Sequence, residues 1–223
     1  ENHVAVFTGF APSENDSALT EEFDKMGVLY LKSEAIEEDN PPIKLKNNWF
    51  TRQFEVFTSM YGMPVYSEFD PTPVVAPFYL LFFAMCLGDA GYGIALLLFG
   101  LMLNKGWVKI SMFEGLGSII SLLGAGTIVV GTVLGTFFGM SMYDATWVPE
   151  WLKSIMIVGD VEIPGLGNFN IQMLLAMGIG IFHICVAMTV KAICYTKRFG
   201  WKENIATWGW LILIVGGVLT GLL

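Results

Sequence analysis

Three ionisable side chains stand within or at the edge of apolar runs: Asp89, His183 and Glu114. Asp89 is the sole charged residue of LFFAMCLGDAGYGIALLLFG, Leu81 to Gly100. A carboxylate at membrane depth is costly unless it faces a bundle interior, a partner or a water-filled cavity. Two roles fit it: a strut hydrogen-bonded to a neighbouring helix, or a residue lining an aqueous ion path. His183, in GIGIFHICVAM, has the ring chemistry of a proton relay, although a histidine bonded to a backbone carbonyl is commoner. Glu114 opens the second apolar run, where solvent or the helix dipole would stabilise it. No Ser-His-Asp, HExxH or CxxC constellation occurs, so no catalytic site, metal site or cofactor is expected. Cys86, Cys185 and Cys194 lie in or beside apolar spans and read as small buried hydrophobes.

The glycines suggest how such side chains are held. Gly88, Gly91 and Gly93 in GDAGYG lack the preceding strand and water-accessible helix start that a phosphate loop needs, which argues against nucleotide binding. They let another backbone approach closely instead. Gly131, Gly135 and Gly139 in VVGTVLGTFFG recur every four residues and predict a small-residue packing face on the second span, extended loosely by Gly124, Thr127 and Thr132.

The elements that must position these residues follow from composition. The chain has 223 residues, 54% of them hydrophobic, with a formal net charge of −8. Its mean hydropathy of +0.60 suits a polytopic membrane protein. Residues 1–73 carry five Lys/Arg against thirteen Asp/Glu, whereas residues 74–223 carry seven of each. An acidic soluble part therefore precedes a neutral membrane part. Acidity of this kind argues against nucleic acid, whose phosphates need a basic face.

Residues 1–40 read as the end of a soluble α/β domain. HVAVFTGFAP (His3 to Pro12) alternates like a strand, Ser17 to Gly27 bounds a short helix, and VLYL makes a second strand. Residues 41–73 form a linker. In it Asn48 caps a helix that places Phe50, Phe54 and Phe57 on one face and closes at Tyr61-Gly62. That helix is either an ordinary surface helix or one lying at the membrane boundary.

Residues 74–223 form a transmembrane bundle with four spans, at about 74–103, 115–140, 171–191 and 205–223. The first, at ~1.5 Å per residue, would reach ~45 Å. The fold class is thus a mainly α-helical polytopic membrane protein, four transmembrane helices preceded by a small α/β remnant. With four spans, the basic loops (Lys105, Lys109; Lys191, Lys197, Arg198, Lys202) fall on the side opposite the soluble part. The positive-inside rule would then place that part outside. The opening at Glu1 and the apolar close at Leu223 suggest a piece of a longer protein.

PPIKLKNNWFTRQFEVFTSMYGMPVYSEFDPTPVVAPFYLLFFAMCLGDAGYG resembles the membrane-entry segment of the stator subunit of V/A-type rotary ATPases, subunit I in prokaryotes and subunit a in eukaryotes. That family's pieces stand in order at Pro41-Pro42, Tyr61-Gly62, Glu68 to Pro73 and Gly88 to Gly93. LGTFFG (Leu134 to Gly139) and MGIGIFHI (Met177 to Ile184) resemble the end of the second helix and a histidine-bearing third helix.

The resemblance implies a cytoplasmic arm bound to peripheral-stalk subunits, and an eight-helix bundle beside a proteolipid ring in the cell (inner) membrane. Half-channels for H⁺ or Na⁺ would be separated by an arginine on the seventh helix. This chain would hold the end of the arm and helices one to four, packed on the remaining helices of the subunit and on lipid. It would be a non-catalytic part of an ATP synthase or pump. Arg52 and Arg198 lie outside the apolar spans, so the translocation arginine is expected elsewhere in the subunit. Thr136 stands where many members carry an acid or amide. The resemblance also implies a cytoplasmic arm, against the loop charges. A reading from another class is a stand-alone transporter or channel with an Asp89/His183 relay, which would call for internal repeats; none is visible.

Overall fold

The computed structural model describes residues 5–39, 41–65, 68–163 and 167–222. It divides into two units, Glu1–Thr72 and Pro73–Leu223.

In the first unit, α1 (Asp16–Met26) stops at Gly27, whose φ of 66° ends the helix. The Val28 N–H then closes onto the Phe23 carbonyl at 3.1 Å. The flanking segments expected as strands form no ladder: among the described residues of this unit there is no strand. The start of the first expected strand, His3 and Val4, lies outside the described residues. Val6, Phe7, Leu29 and Leu31 are instead exposed. Alternation supplies a strand with a face but not with a partner edge, and a lone segment cannot satisfy its backbone.

The linker helix forms in two pieces, α2 (Trp49–Arg52) and α3 (Glu55–Tyr61). Asn48 caps the first by accepting from the Thr51 N–H at 2.9 Å. Phe54, 2% exposed, is the core of this segment, with the Phe50 and Phe57 rings at 5.3 and 6.3 Å.

The second unit departs from expectation at its first span. Residues 74–103 are not one helix but two, α4 (Thr72–Leu87) and α5 (Ala90–Asn104), separated at Gly88-Asp89. Next come α6 (Gly117–Val133), a two-residue hairpin of β1 (Thr136–Phe137) with β2 (Met140–Ser141), and α7 (Glu150–Lys153). A second antiparallel hairpin follows, β3 (Asp160–Ile163) with β4 (Gly167–Asn170), Asp160 facing Asn170. Then come α8 (Ile171–Phe199) and α9 (Ile205–Leu222). Among the described residues two segments are long and apolar enough to cross a bilayer, Ile171–Phe199 and Lys202–Gly221; α4, α5 and α6 are shorter apolar helices.

Neighbour relations give the direction of the break. Along α4, Leu80 lies against Gly126 and Gly88 against Leu134, so α4 runs with α6. Along α5, Ala90 lies against Gly131, Leu97 against Gly124 and Asn104 against Gly117, so α5 runs against it. The chain therefore reverses at Gly88-Asp89.

The α5–α6 seam is made by glycines seven apart: Gly93 and Gly100 on α5, Gly117, Gly124 and Gly131 on α6. A Cβ at Gly93 would sit 2.7 Å from the Ile128 N, and one at Gly117 2.6 Å from the Asn104 Oδ1. Seven residues are about two helical turns, which keeps all five on facing stripes. Gly135 and Gly139 do not continue this face. Both follow α6 in left-handed conformation, with φ of 73° and 76°, so the four-residue spacing belongs to a turn.

The turn at the end of α8 is fixed by Asn204, 3% exposed, which donates to the Ala192 carbonyl at 2.7 Å and to the Thr196 hydroxyl at 3.0 Å.

Candidate functional site

Gly88 ends α4 by donating its N–H to the Ala84 carbonyl at 2.8 Å, and its φ of 58° turns the chain. Asp89 then takes extended backbone and becomes the N-cap of α5. Its Oδ1 accepts from the Gly91 and Tyr92 N–H groups at 2.8 and 3.1 Å. That much is an ordinary helix cap.

The same carboxylate reaches a second turn. Oδ1 also accepts from the Phe138 N–H at 2.8 Å, and Oδ2 from the Gly139 N–H at 2.7 Å. Phe138 has a φ of 46°, the one described non-glycine residue in the left-handed region. Such a conformation costs about 1–2 kcal/mol, and the bond to Asp89 holds it in place. The Thr136 hydroxyl donates in turn to the Gly88 carbonyl, so the two turns are tied in both directions. Asp89 is 5% exposed.

Around this clamp the end of the bundle is knitted by backbone. Gln172, at the start of α8, donates to the Leu134 and Ile157 carbonyls at 2.9 and 3.3 Å. Met142 N–H bonds Gly135 O, and Ile157 N–H bonds Val133 O, each at 2.7 Å. The Phe138 ring covers Gly91 so closely that a Cβ there would lie 2.5 Å from it, and it meets Tyr92 edge-on at 5.4 Å. Gly91 is thus small because an aromatic ring occupies its side-chain space. The N–H groups of Gly91 and Tyr92, which a phosphate loop would offer to a nucleotide, are committed to Asp89.

The other ionisable candidates are not brought to this place. His183 lies along α8, about 16 Å from Gln172 at ~1.5 Å per residue. Its ring is 4.3 Å from that of Phe78 and 5.4 Å from that of Phe82. With Val75, Tyr79, Phe83 and Cys86 it lines a cavity of about 310 Å³. Glu114 is exposed beside the short turn Ser111–Phe113, before α6. Asp89 and Glu114 therefore flank opposite ends of the α5–α6 hairpin.

Thr136, Gln172 and the donors at Phe138 and Gly139 form the site with Asp89, and residue-level reading did not single them out as its partners. The one available signal was the pairing of an acid after glycine, Gly88-Asp89, with a second glycine-bounded aromatic turn, GTFFG. The seam glycines Gly100 and Gly117 were likewise not singled out, although a seven-residue spacing links them to Gly93, Gly124 and Gly131.

Comparison with known proteins bears on what this scaffold is. Residues 4–153 match the V-type ATPase 116kDa subunit family. The chain is 29% identical over 212 residues to the A-type ATP synthase subunit I of Methanocaldococcus jannaschii, covering 85% of this chain and 30% of that protein. It is 30% identical over 204 residues to the A-type ATP synthase subunit I of Pyrococcus horikoshii, covering 88% and 29%. Against the V-type ATP synthase subunit I of Borreliella burgdorferi it is 27% identical over 217 residues, covering 94% and 34%. The chain thus spans about a third of the length of the curated relatives it matches. It is a mainly helical, membrane-associated chain, and it belongs to the V-type ATPase 116kDa subunit family.

Proposed function

We propose that this chain is the membrane-entry part of the stator of a V/A-type rotary ATPase. It anchors the peripheral-stalk arm to the membrane and supports the helices that carry H⁺ or Na⁺ past the proteolipid ring. The family match over residues 4–153 is the observation that carries the reading. The remainder of the subunit, the ring and the stalk subunits are its partners in this account.

The reversal at Gly88-Asp89 supports a topology of five crossings, α4, α5, α6, α8 and α9, in place of four. At ~1.5 Å per residue, α4, α5 and α6 reach about 22 to 26 Å, short of a typical hydrocarbon core but tolerable with local thinning. With the extra crossing, the loops bearing Lys105, Lys109, Lys197, Arg198 and Lys202 return to the side of residues 1–72. The acidic segment Ser141–Asn170 goes to the other side. The positive-inside rule and the family expectation then agree on a cytoplasmic arm.

Asp89 is a strut in this reading and not an ion carrier. Its two oxygens are engaged by four backbone N–H groups, and it closes the non-cytoplasmic end of the hairpin. A stand-alone transporter with an Asp89/His183 relay is disfavoured, since His183 sits among aromatic rings well along α8. Tagging the full-length subunit and purifying it from membranes tests the reading. Recovery of a ring-bearing complex, with negligible ion flux from the subunit alone in liposomes, is expected; flux from the isolated subunit would overturn it.

A further inference from the structure

The segment from Trp49 to Val65 has two faces. The inner face closes on Phe54, flanked by the Phe50 and Phe57 rings. The outer residues are large, apolar and uncovered: Trp49 is 72% exposed, Met60 77% and Tyr61 95%, with Met63 and Val65 exposed beside them. Between Trp49 and Phe69 there are three charges, Arg52, Glu55 and Glu68. Glu55 accepts from the Asn47 amide at 2.9 Å, and Glu68 from the Val65 N–H at 3.0 Å. Arg52 is exposed.

This segment is tethered to the root of α4. The Thr58 and Thr72 hydroxyls are 2.7 Å apart, and Thr72 opens α4. The Asn47 amide that holds Glu55 also donates to Asp70 at 2.9 Å, while Asp70 accepts from the Thr72 N–H at 2.9 Å. If α4 enters the bilayer from Thr72, as the proposed function has it, the Thr58–Thr72 contact keeps α3 beside the residue at which the chain enters. A segment there with Trp and Tyr on its outer face, apolar neighbours and a single exposed cation has the chemistry of the headgroup–acyl boundary.

We propose that the outer face of Trp49–Val65 lies in the lipid interface on the arm side of the membrane. There it forms an interfacial anchor that seats the elbow Asp70–Pro73, Arg52 facing lipid phosphates. The occupant of the face is the bilayer surface. The argument for it is continuity with the membrane-entering helix, together with the low charge of the face.

The inference rests on the membrane reading, so its test includes a reference inside the bundle. The full-length subunit in its assembled complex is reconstituted into vesicles of phosphatidylethanolamine and phosphatidylglycerol, with Cys86, Cys185 and Cys194 replaced by alanine. A single environment-sensitive fluorophore is placed at Met60→Cys, Tyr61→Cys, Lys44→Cys or Ile212→Cys. A nitroxide on the lipid acyl chain near the headgroup is expected to quench the labels at 60 and 61 at least ~3-fold more than the label at 44, with aqueous iodide giving the reverse order. Iodide quenching at 60 and 61 equal to that at 44 overturns the inference in favour of water. Resistance to both quenchers overturns it in favour of a protein partner. If Ile212→Cys also escapes a second nitroxide placed at the end of the acyl chain, the membrane reading itself has failed; if only 60 and 61 escape the nitroxide near the headgroup, the inference alone has.

Discussion

Asp89 joins two turns that are far apart in sequence, and substitutions there should rank by how many N–H groups they strand. Asp89→Ala leaves the N–H groups of Gly91, Tyr92, Phe138 and Gly139 without their acceptor, a loss of about 3 kcal/mol or more. Thr136→Val removes one donor to the Gly88 carbonyl at nearly constant shape and should cost about 1 kcal/mol. Thermal unfolding of the purified full-length subunit checks the order, and a Thr136→Val variant less stable than Asp89→Ala would contradict the clamp. His183→Phe retains a ring between Phe78 and Phe82, so ATP-driven ion uptake by the assembled complex should be unchanged. Loss of uptake with normal assembly would restore the relay reading.

At the scale of elements, the seam between α5 and α6 leaves no room for a methyl group. A Cβ at Gly124 would lie 2.8 Å from the Leu97 Cα, whereas one at Gly178 on α8 meets nothing within 4 Å. Gly124→Ala should therefore destabilise by about 1–3 kcal/mol, while Gly178→Ala, in open space, should be neutral or slightly stabilising; chemical unfolding in detergent compares the two.

The direction of the hairpin is open to labelling. Single cysteines replacing Met140 and Trp147 should react with a membrane-impermeant thiol reagent from the non-cytoplasmic side, and those replacing Met112 and Trp201 from the cytoplasmic side. Equal sidedness of Met112 and Met140 would remove the crossing by α6.

Much of this level was legible in the residues. The apolar runs marked the starts of α6, α8 and α9 to within two positions, but the run over α6 extended seven residues past its end and that over α8 stopped eight short of it; Asn48 marked its cap. The break inside residues 74–103 was hidden because apolar residues flank Gly88-Asp89 on both sides, and hydropathy carries no sign of chain reversal. The face assigned to Gly135 and Gly139 failed for a related reason: a spacing of four fits one helical turn, and only the backbone reveals that the helix has ended. The strands expected before Pro12 and after Gly27 were read from alternation alone, which cannot say whether a partner edge exists.

For the molecule as a whole, five crossings reconcile features that four set against each other. In the proposed topology the basic loops and the acidic arm share one side, and the clamped turns with the acidic loop occupy the other. The family match carries the proposed stator reading, and the clamp gives that proposal its mechanical content: a carboxylate that fixes two backbone turns at the end of a hairpin.

The most direct test of that claim is ATP-driven ion uptake by the whole complex carrying Asp89→Asn, normalised to the amount of assembled complex. The amide can keep its carbonyl on Gly91, Tyr92 and Phe138 but turns a donor toward Gly139, a loss of about 1–3 kcal/mol. A strut predicts fewer assembled complexes, each with normal uptake. Full assembly with uptake abolished would place Asp89 in the ion path and contradict the account.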